Sequence, residues 1–280
     1  MPSTVEKRQT FRKLHERGCF VIPNPWDVGT TRYLQKLGFK ALATTSLGYA
    51  YAAGFADGEV PRDRMLAHIA EIAAAADVPV NADFEGGFAH EPDGVAESVA
   101  LCVKTGVAGL SIEDSTGDKA APLYPFDVAL ARIAAARKAI DASGHDVLLT
   151  ARTEGFIRGR PDMDETLKRL KAFAGAGADC LYAPGIRTRD EIRTVVNAVA
   201  PKPVNVLIGW PSDLSVQDIA AMGARRISVG GALARAAWGG FIRSARQIAE
   251  GGSFGGFCDA APATELNAFF HEDRAKRNAQ

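Results

Sequence analysis

The segment Pro79-Val80-Asn81-Ala82-Asp83-Phe84-Glu85-Gly86-Gly87 joins a short apolar run to two carboxylates two residues apart, followed by glycines. If the run is a strand, Asp83 and Glu85 stand at or just past its C-terminal end, the edge where a parallel sheet opens and carries its chemistry. Carboxylates with small neighbours suit a hard cation such as Mg²⁺ or Mn²⁺, which prefers oxygen ligands and keeps part of its water. The competing reading is that both acids only cap the next helix or pair with surface lysines. What separates the two readings is whether other strand ends also carry polar groups.

Those strand ends are found by aligning glycines. Gly38 to Thr45, Gly106 to Glu113, Gly177 to Pro184 and Gly223 to Gly230 share one pattern, in which glycine ends a helix in the left-handed conformation and a small-residue strand follows. Strands of a second kind lie between them at Asp77 to Ala82, Asp146 to Ala151 and Lys202 to Leu207, and Cys19 to Pro23 makes eight. The intervening segments have helical period, as in Met65, Leu66, Ile69, Ile72 and Ala73, or Leu167, Leu170, Phe173 and Ala174. Thr188 to Glu191 reads as a capping box, and Asp164 or Ser215 would accept the first free amides of their helices. Strands that are apolar on both faces and alternate with helices predict a parallel sheet covered by helices. Closed on itself it is a (β/α)₈ barrel over residues 1–250, with a C-terminal helical extension at 251–280. An open doubly wound sheet is the alternative, but no Gly-x-Gly-x-x-Gly follows the first strand, which disfavours a dinucleotide fold.

The composition narrows the partners. Lys plus Arg equals Asp plus Glu at 33 each, so no basic surplus points to nucleic acid or an anionic membrane. Residues Met1 to Arg12 lack a signal-peptide core, and no window approaches a membrane span, so the expectation is a soluble cytoplasmic protein. Cys19, Cys102, Cys180 and Cys258 share no metal-type spacing; Cys19 and Cys180 fall in expected strands and Cys102 in a helix, as small core residues. The five histidines are scattered, which disfavours zinc.

Around the expected C-terminal rim stand Asn24, Trp26 and Asp27; Thr44, Thr45 and Ser46; Asp83 and Glu85; Glu113 and Asp114; Arg152, Thr153 and Glu154; Tyr182; Asn205; and Ser228, Gly230 and Gly231, with Asp57 in the loop after the second strand. Asp57, Asp83, Glu85 and Glu113 come from three consecutive strand units. Their mutual repulsion in one mouth would be costly unless a cation sat among them. Arg152 follows on the next strand, and a guanidinium beside a metal points to small oxyanions or keto acids. A rim of salt bridges bracing the barrel would also explain Glu113, Asp114 and Arg152.

The series Pro79 to Gly87, Gly106 to Asp114, Ala151-Arg152-Thr153-Glu154 and Ala176 to Asp179 resembles the isocitrate lyase and phosphoenolpyruvate mutase superfamily, from about Phe11 to Ala237. The resemblance implies a (β/α)₈ barrel, one Mg²⁺, a small carboxylate ligand such as a 2-oxo acid, and homodimers or homotetramers that swap C-terminal helices. It implies Asp83 as the direct metal ligand, and Asp57, Glu85 and Glu113 as acids holding the metal's waters. Arg152 would read the substrate carboxylate and leaving group, giving Arg152, Asp57 and Glu113 catalytic parts. Ser46, with the backbone of Leu47 and Gly48, would cradle the α-carboxylate, and Trp26 would wall the pocket; Asn205, from its place on the expected rim, is a further substrate-binding candidate. Two departures stand out. Glu85 replaces the family's usual second aspartate, and Ser115 to Tyr124 replaces the lyase loop Lys-Lys/Arg-Cys-Gly-His, whose cysteine protonates the departing fragment. Branches without that cysteine, which decarboxylate oxaloacetate or work on phosphonopyruvate, fit better, with Lys119 and Tyr124 as the nearest substitute acids. The common chemistry would pass through an enolate. The alternatives are a sugar-phosphate barrel using Ser228 to Gly231 for phosphate, and a non-catalytic 2-oxo acid binder.

Overall fold

The computed structural model describes residues 2–279. Eight short strands run in chain order: β1 (Phe20–Ile22), β2 (Leu42–Ala43), β3 (Val80–Asp83), β4 (Gly109–Glu113), β5 (Leu148–Arg152), β6 (Cys180–Tyr182), β7 (Val204–Leu207) and β8 (Arg226–Ser228). All neighbouring pairs are parallel, in the order β1-β8-β7-β6-β5-β4-β3-β2. The seam between β1 and β2 is closed by Ala43 N donating to Pro23 O at 3.0 Å and Asn24 Nδ2 donating to Thr44 O at 2.9 Å. The sheet is therefore a (β/α)₈ barrel, and all eight strands fall on the segments expected from sequence.

The helices are α1 (Thr4–Glu16), α2 (Val28–Lys36), α3 (Ser46–Ala52), α4 (Arg62–Ala75), α5 (Pro92–Lys104), α6 (Phe126–Ala142), α7 (Met163–Gly175), α8 (Arg189–Val199), α9 (Val216–Ala221), α10 (Ala232–Gly251) and α11 (Ala263–Asn278). The four repeat glycines do the same job at four helix ends: Gly38, Gly106, Gly177 and Gly223 all have φ between 88° and 98°, a region that L side chains enter at a cost. The Thr188 capping box on α8 forms, as does one at Ser215 on α9. For α7 the cap is Asp162, which accepts from Glu165 N; Asp164 lies inside the first turn, because the helix starts two residues earlier than the apolar period suggests. Cys102 and Cys180 are buried as expected, whereas Cys19 is half-buried and immediately precedes β1.

Helix α1 plugs the N-terminal end of the barrel. Phe11 is fully buried with Ala43, Ala108 and Leu148, and Arg8 donates to the carbonyls of Val103 and Val107 at 3.0 Å each. By packing, the described residues form two compact units, one from Pro2 to Gly231 and one from Ala232 onward, so that α10 groups with the tail. Within the second unit, Ser244 Oγ donates to Gly256 O at 2.9 Å, while Phe241, Phe254 and Phe257 are exposed. No helix among the described residues is long and apolar enough to cross a membrane.

The closeness of this plug makes one glycine critical. A Cβ on Gly109 would come within 2.6 Å of the Phe11 ring, 2.9 Å of Asn81 Oδ1 and 3.1 Å of Leu148 O. Gly109→Ala is expected to destabilise the barrel by about 1–3 kcal/mol, read as a lower urea midpoint with unchanged slope.

Candidate active site

The C-terminal mouth opens into a cavity of about 560 Å³. Asp57, Asp83, Glu85, Glu113, Arg152, Ser46, Leu47 and Asn205 all line it, so the acids of three successive strand units do converge with the guanidinium of the fourth. Trp26 and Gly48 do not line it. The Gly48 amide is consumed locally, donating to the Thr45 hydroxyl that caps α3, and the Trp26 amide donates to Thr30 Oγ1 beside the Asp27 cap of α2. These two expected substrate contacts are thus absent from the cavity wall.

Arg152 is the cation among the acids. Its Nη1 donates to Asp83 Oδ1 at 2.7 Å, Nη2 lies 3.1 Å from Glu113 Oε2, and Nε donates to Glu154 Oε1 at 3.1 Å. The Tyr182 ring packs against it, 5.0 Å from centroid to guanidinium carbon. Asp83 is also fixed from the other side, where Ser46 N and Oγ donate to Oδ2 at 3.0 and 2.9 Å. Ser46, expected to cradle a carboxylate, therefore cradles that of Asp83. Asp114 is structural: it pairs with Arg169 at 3.1 Å and accepts from Glu154 N at 2.8 Å, the bracing expected of a rim salt bridge. Breaking such a buried network by removing its cation typically costs on the order of 3–5 kcal/mol.

One guanidinium does not balance the site. Six carboxylates and three guanidiniums line the cavity, and the carboxyls respond as crowded acids must. Burial, and then Asp83 and Asp57, push Glu85 up to about 7. Burial, followed by Asp83, raises Asp57. Burial, followed by Glu154, raises Glu113, and outweighs the attraction of Arg152 despite the close ion pair. Glu85 is unusual in two further respects. Its backbone is left-handed at φ 48°, and its Oε1 is buried without a hydrogen-bond partner. A left-handed residue with an unpartnered carboxylate oxygen in an acid-rich cavity fits a site that could hold a cation. Among the described residues no three His, Cys, Asp or Glu side chains form a ready-made metal cage.

Several contributors escaped the sequence reading. Arg158 reaches Glu113 at 3.5 Å and Glu154 at 3.7 Å from the loop after β5; only its place four residues after Glu154 hinted at this. Arg132, buried on α6, donates to the carbonyls of Gly86, Ala89 and His90 and so pins the turn that carries Glu85. Arg226 lines the cavity from β8. Of the Ser115 to Tyr124 segment, Gly117 lines this cavity. Tyr124 instead bonds His90 Nδ1 at 2.6 Å and lines a separate cavity, and Lys119 lines neither, so neither substitute acid is placed to act.

A family model described as phosphoenolpyruvate phosphomutase matches residues 11–249. The chain belongs to the isocitrate lyase and phosphoenolpyruvate mutase superfamily. A solved Burkholderia cenocepacia J2315 protein, named as a candidate lyase/mutase, is 48% identical with a TM-score of 0.92, covering 96% of this chain and 97% of that one. Oxaloacetate decarboxylase of Paraburkholderia xenovorans is 28% identical over 232 residues, 80% of this chain and 75% of its own. The structure of an oxaloacetate acetylhydrolase in complex with the product oxalate superposes with a TM-score of 0.85 at 26% identity, covering 99% and 97% of the two chains. The superfamily's members are lyases and mutases, and this chain is an enzyme of that kind.

The raised acid gives a pH test. The folded state holds the Glu85 proton more tightly than the unfolded state, whose carboxyl has the ordinary value of 4.5. Its contribution to stability is therefore complete below about 4.5 and is lost as pH rises towards about 7. Without added metal, the thermal midpoint of the wild type is expected to fall across this interval relative to that of Glu85→Gln, which cannot ionise. Parallel curves for the two proteins would show that Glu85 titrates normally.

Proposed function

We propose that this enzyme is a Mg²⁺-dependent lyase acting on a small 2-oxo acid or related dicarboxylate, of the oxaloacetate decarboxylase or phosphonopyruvate type. The observation that carries this reading is the excess of carboxylates over guanidiniums in one cavity, with Glu85 Oε1 buried and unpartnered. Asp83 would ligate the cation directly, with Asp57, Glu85 and Glu113 holding its waters; Mn²⁺ suits the same oxygen set. When bound, the cation supplies Lewis-acid polarisation of a substrate carbonyl.

The chain's own residues do the rest. Arg152 is the positive group nearest the acids, held by Asp83, Glu113 and Glu154 so that it meets an incoming anion in one orientation. Tyr182 and Leu207 line the same wall and restrict water. Among the described residues no thiol lines the cavity, in keeping with chemistry that does not depend on a cysteine proton donor. The sugar-phosphate alternative loses its main support, because the Val229 and Gly230 amides already donate to Asn24 Oδ1 at 3.0 and 2.8 Å.

Asp83→Ala is expected to abolish Mg²⁺-dependent binding of oxalate in calorimetry, and undiminished binding would count against the site. Screening oxaloacetate, 2-methylisocitrate and phosphonopyruvate for Mg²⁺-dependent pyruvate release is expected to give turnover with oxaloacetate or phosphonopyruvate and none with 2-methylisocitrate. The exposed Trp238, Phe241, Phe254 and Phe257 of the tail support assembly as a homodimer or homotetramer. Sedimentation is expected to give a mass at least double the 29.7 kDa of one chain, and a monomer would contradict this.

A further inference from the structure

Of the three guanidiniums in the cavity wall, two face carboxylates. Arg152 meets Asp83, Glu113 and Glu154, and Arg158 meets Glu113 and Glu154. Arg226 differs. It is 3% exposed, and every partner it has among the described residues is neutral. Its Nε donates to Asn205 Oδ1 at 2.8 Å, Nη2 to Thr150 Oγ1 at 3.1 Å, and Nη1 faces His15 Nε2 at 3.4 Å.

The histidine cannot act as a counter-ion. His15 Nδ1 lies 2.8 Å from the Phe11 carbonyl, so this nitrogen carries the hydrogen and Nε2 accepts from Arg226. Burial, and then the Arg226 charge itself, push the imidazole down to about 3, so it is neutral at working pH. Asn205 is held in turn by its Nδ2 donating to Ser228 Oγ at 2.9 Å, which fixes its oxygen towards Arg226. A guanidinium has five N–H donors, and these neighbours take three. The remaining two, and the whole positive charge, are left without an anion.

Its depth follows from the strand geometry. Thr150 and Arg152 point to the same face of β5, two residues apart, which is about 6.6 Å along a strand. Because Arg226 bonds to Thr150, its guanidinium lies a side-chain layer below the acid cluster, on the floor of the same cavity. An isolated buried cation is costly, and the cheapest way to relieve it is an anion delivered from the mouth.

We propose that Arg226 is a specificity-determining residue that receives the far carboxylate of the ligand, making the preferred ligand a short diacid rather than a monoacid. This rests on the reading of the cavity as an acid-binding site. One end of the ligand sits beside Asp83 and Arg152 and the other reaches down to Arg226. Asn205 is then a positioning residue, aiming the guanidinium rather than contacting the reacting atoms.

The test is calorimetry in Mg²⁺ with malonate, succinate and glutarate against propionate, butyrate and pentanoate, with oxalate as a reference. At the chain length that fits, the wild type is expected to bind the diacid about tenfold or more tighter than the monoacid, the size of a charge-assisted hydrogen bond. Arg226→Gln is expected to reduce that ratio to near one while oxalate still binds. A ratio unchanged by the substitution, or no diacid preference at any length while oxalate binds, would overturn the proposal. Failure of oxalate to bind the wild type would instead overturn the reading of the cavity. Should Arg226→Gln not fold, a crystal structure of the wild type with the tightest diacid decides: a carboxylate against Arg226 supports the proposal, and both carboxylates elsewhere refute it.

Discussion

Too many carboxylates for too few cations, gathered in one cavity at the mouth of the barrel, is the constraint from which the rest of this molecule follows. Arg152 sits where the shortage is worst and is shared by Asp83, Glu113 and Glu154. Its charge still leaves Glu85 and Asp57 raised, both by burial first and by neighbouring acids second. A protein concerned only with stability would replace such a cluster with apolar residues, because desolvating several like charges gains nothing by itself. Such a cluster at the mouth of a barrel would be relieved by a further positive charge.

The barrel supplies what that arrangement needs. Parallel strands all end at one rim, so residues as distant in the chain as Asp83 and Arg152 meet at their strand ends. Around them the fixing is mutual. Thr44 Oγ1 accepts the Asp83 amide and Ser46 holds its carboxylate from the adjoining strand unit, while Glu113 N donates to the carbonyl of Glu85. The left-handed turn at Glu85 is held by Arg132 from beneath, at three backbone carbonyls. Strain in the backbone is thus offset by a buried cation that touches no ligand.

Much of this was legible in the sequence, and the remainder has identifiable reasons. The strands could be read because Gly38, Gly106, Gly177 and Gly223 mark helix ends that only glycine forms easily, and because a short run of small or apolar residues follows each of them. The rim acids could be read because residues at strand ends must share one edge. Partners were harder. Nothing in the spacing of Arg132, Arg158 or Arg226 shows that each would reach across the fold, since a long side chain's target depends on neighbours tens of residues away. Gly48 and Trp26 fall outside the cavity lining: the Gly48 amide donates to Thr45 Oγ1 and the Trp26 amide to Thr30 Oγ1, local contacts of their own helix starts. Tyr124 was adjacent in sequence to the loop of interest, but its ring lies against Arg132 and its hydroxyl on His90.

The central claim concerns where a divalent cation settles. An anomalous-difference map from a crystal of the wild-type protein soaked in Mn²⁺ addresses this directly, since the ion marks its own position. The account expects one strong peak per chain beside Asp83, with Asp57, Glu85 and Glu113 around it and water completing the shell. Manganese found elsewhere, or a cavity that stays free of it while Arg152 keeps all three of its carboxylates, would contradict the account.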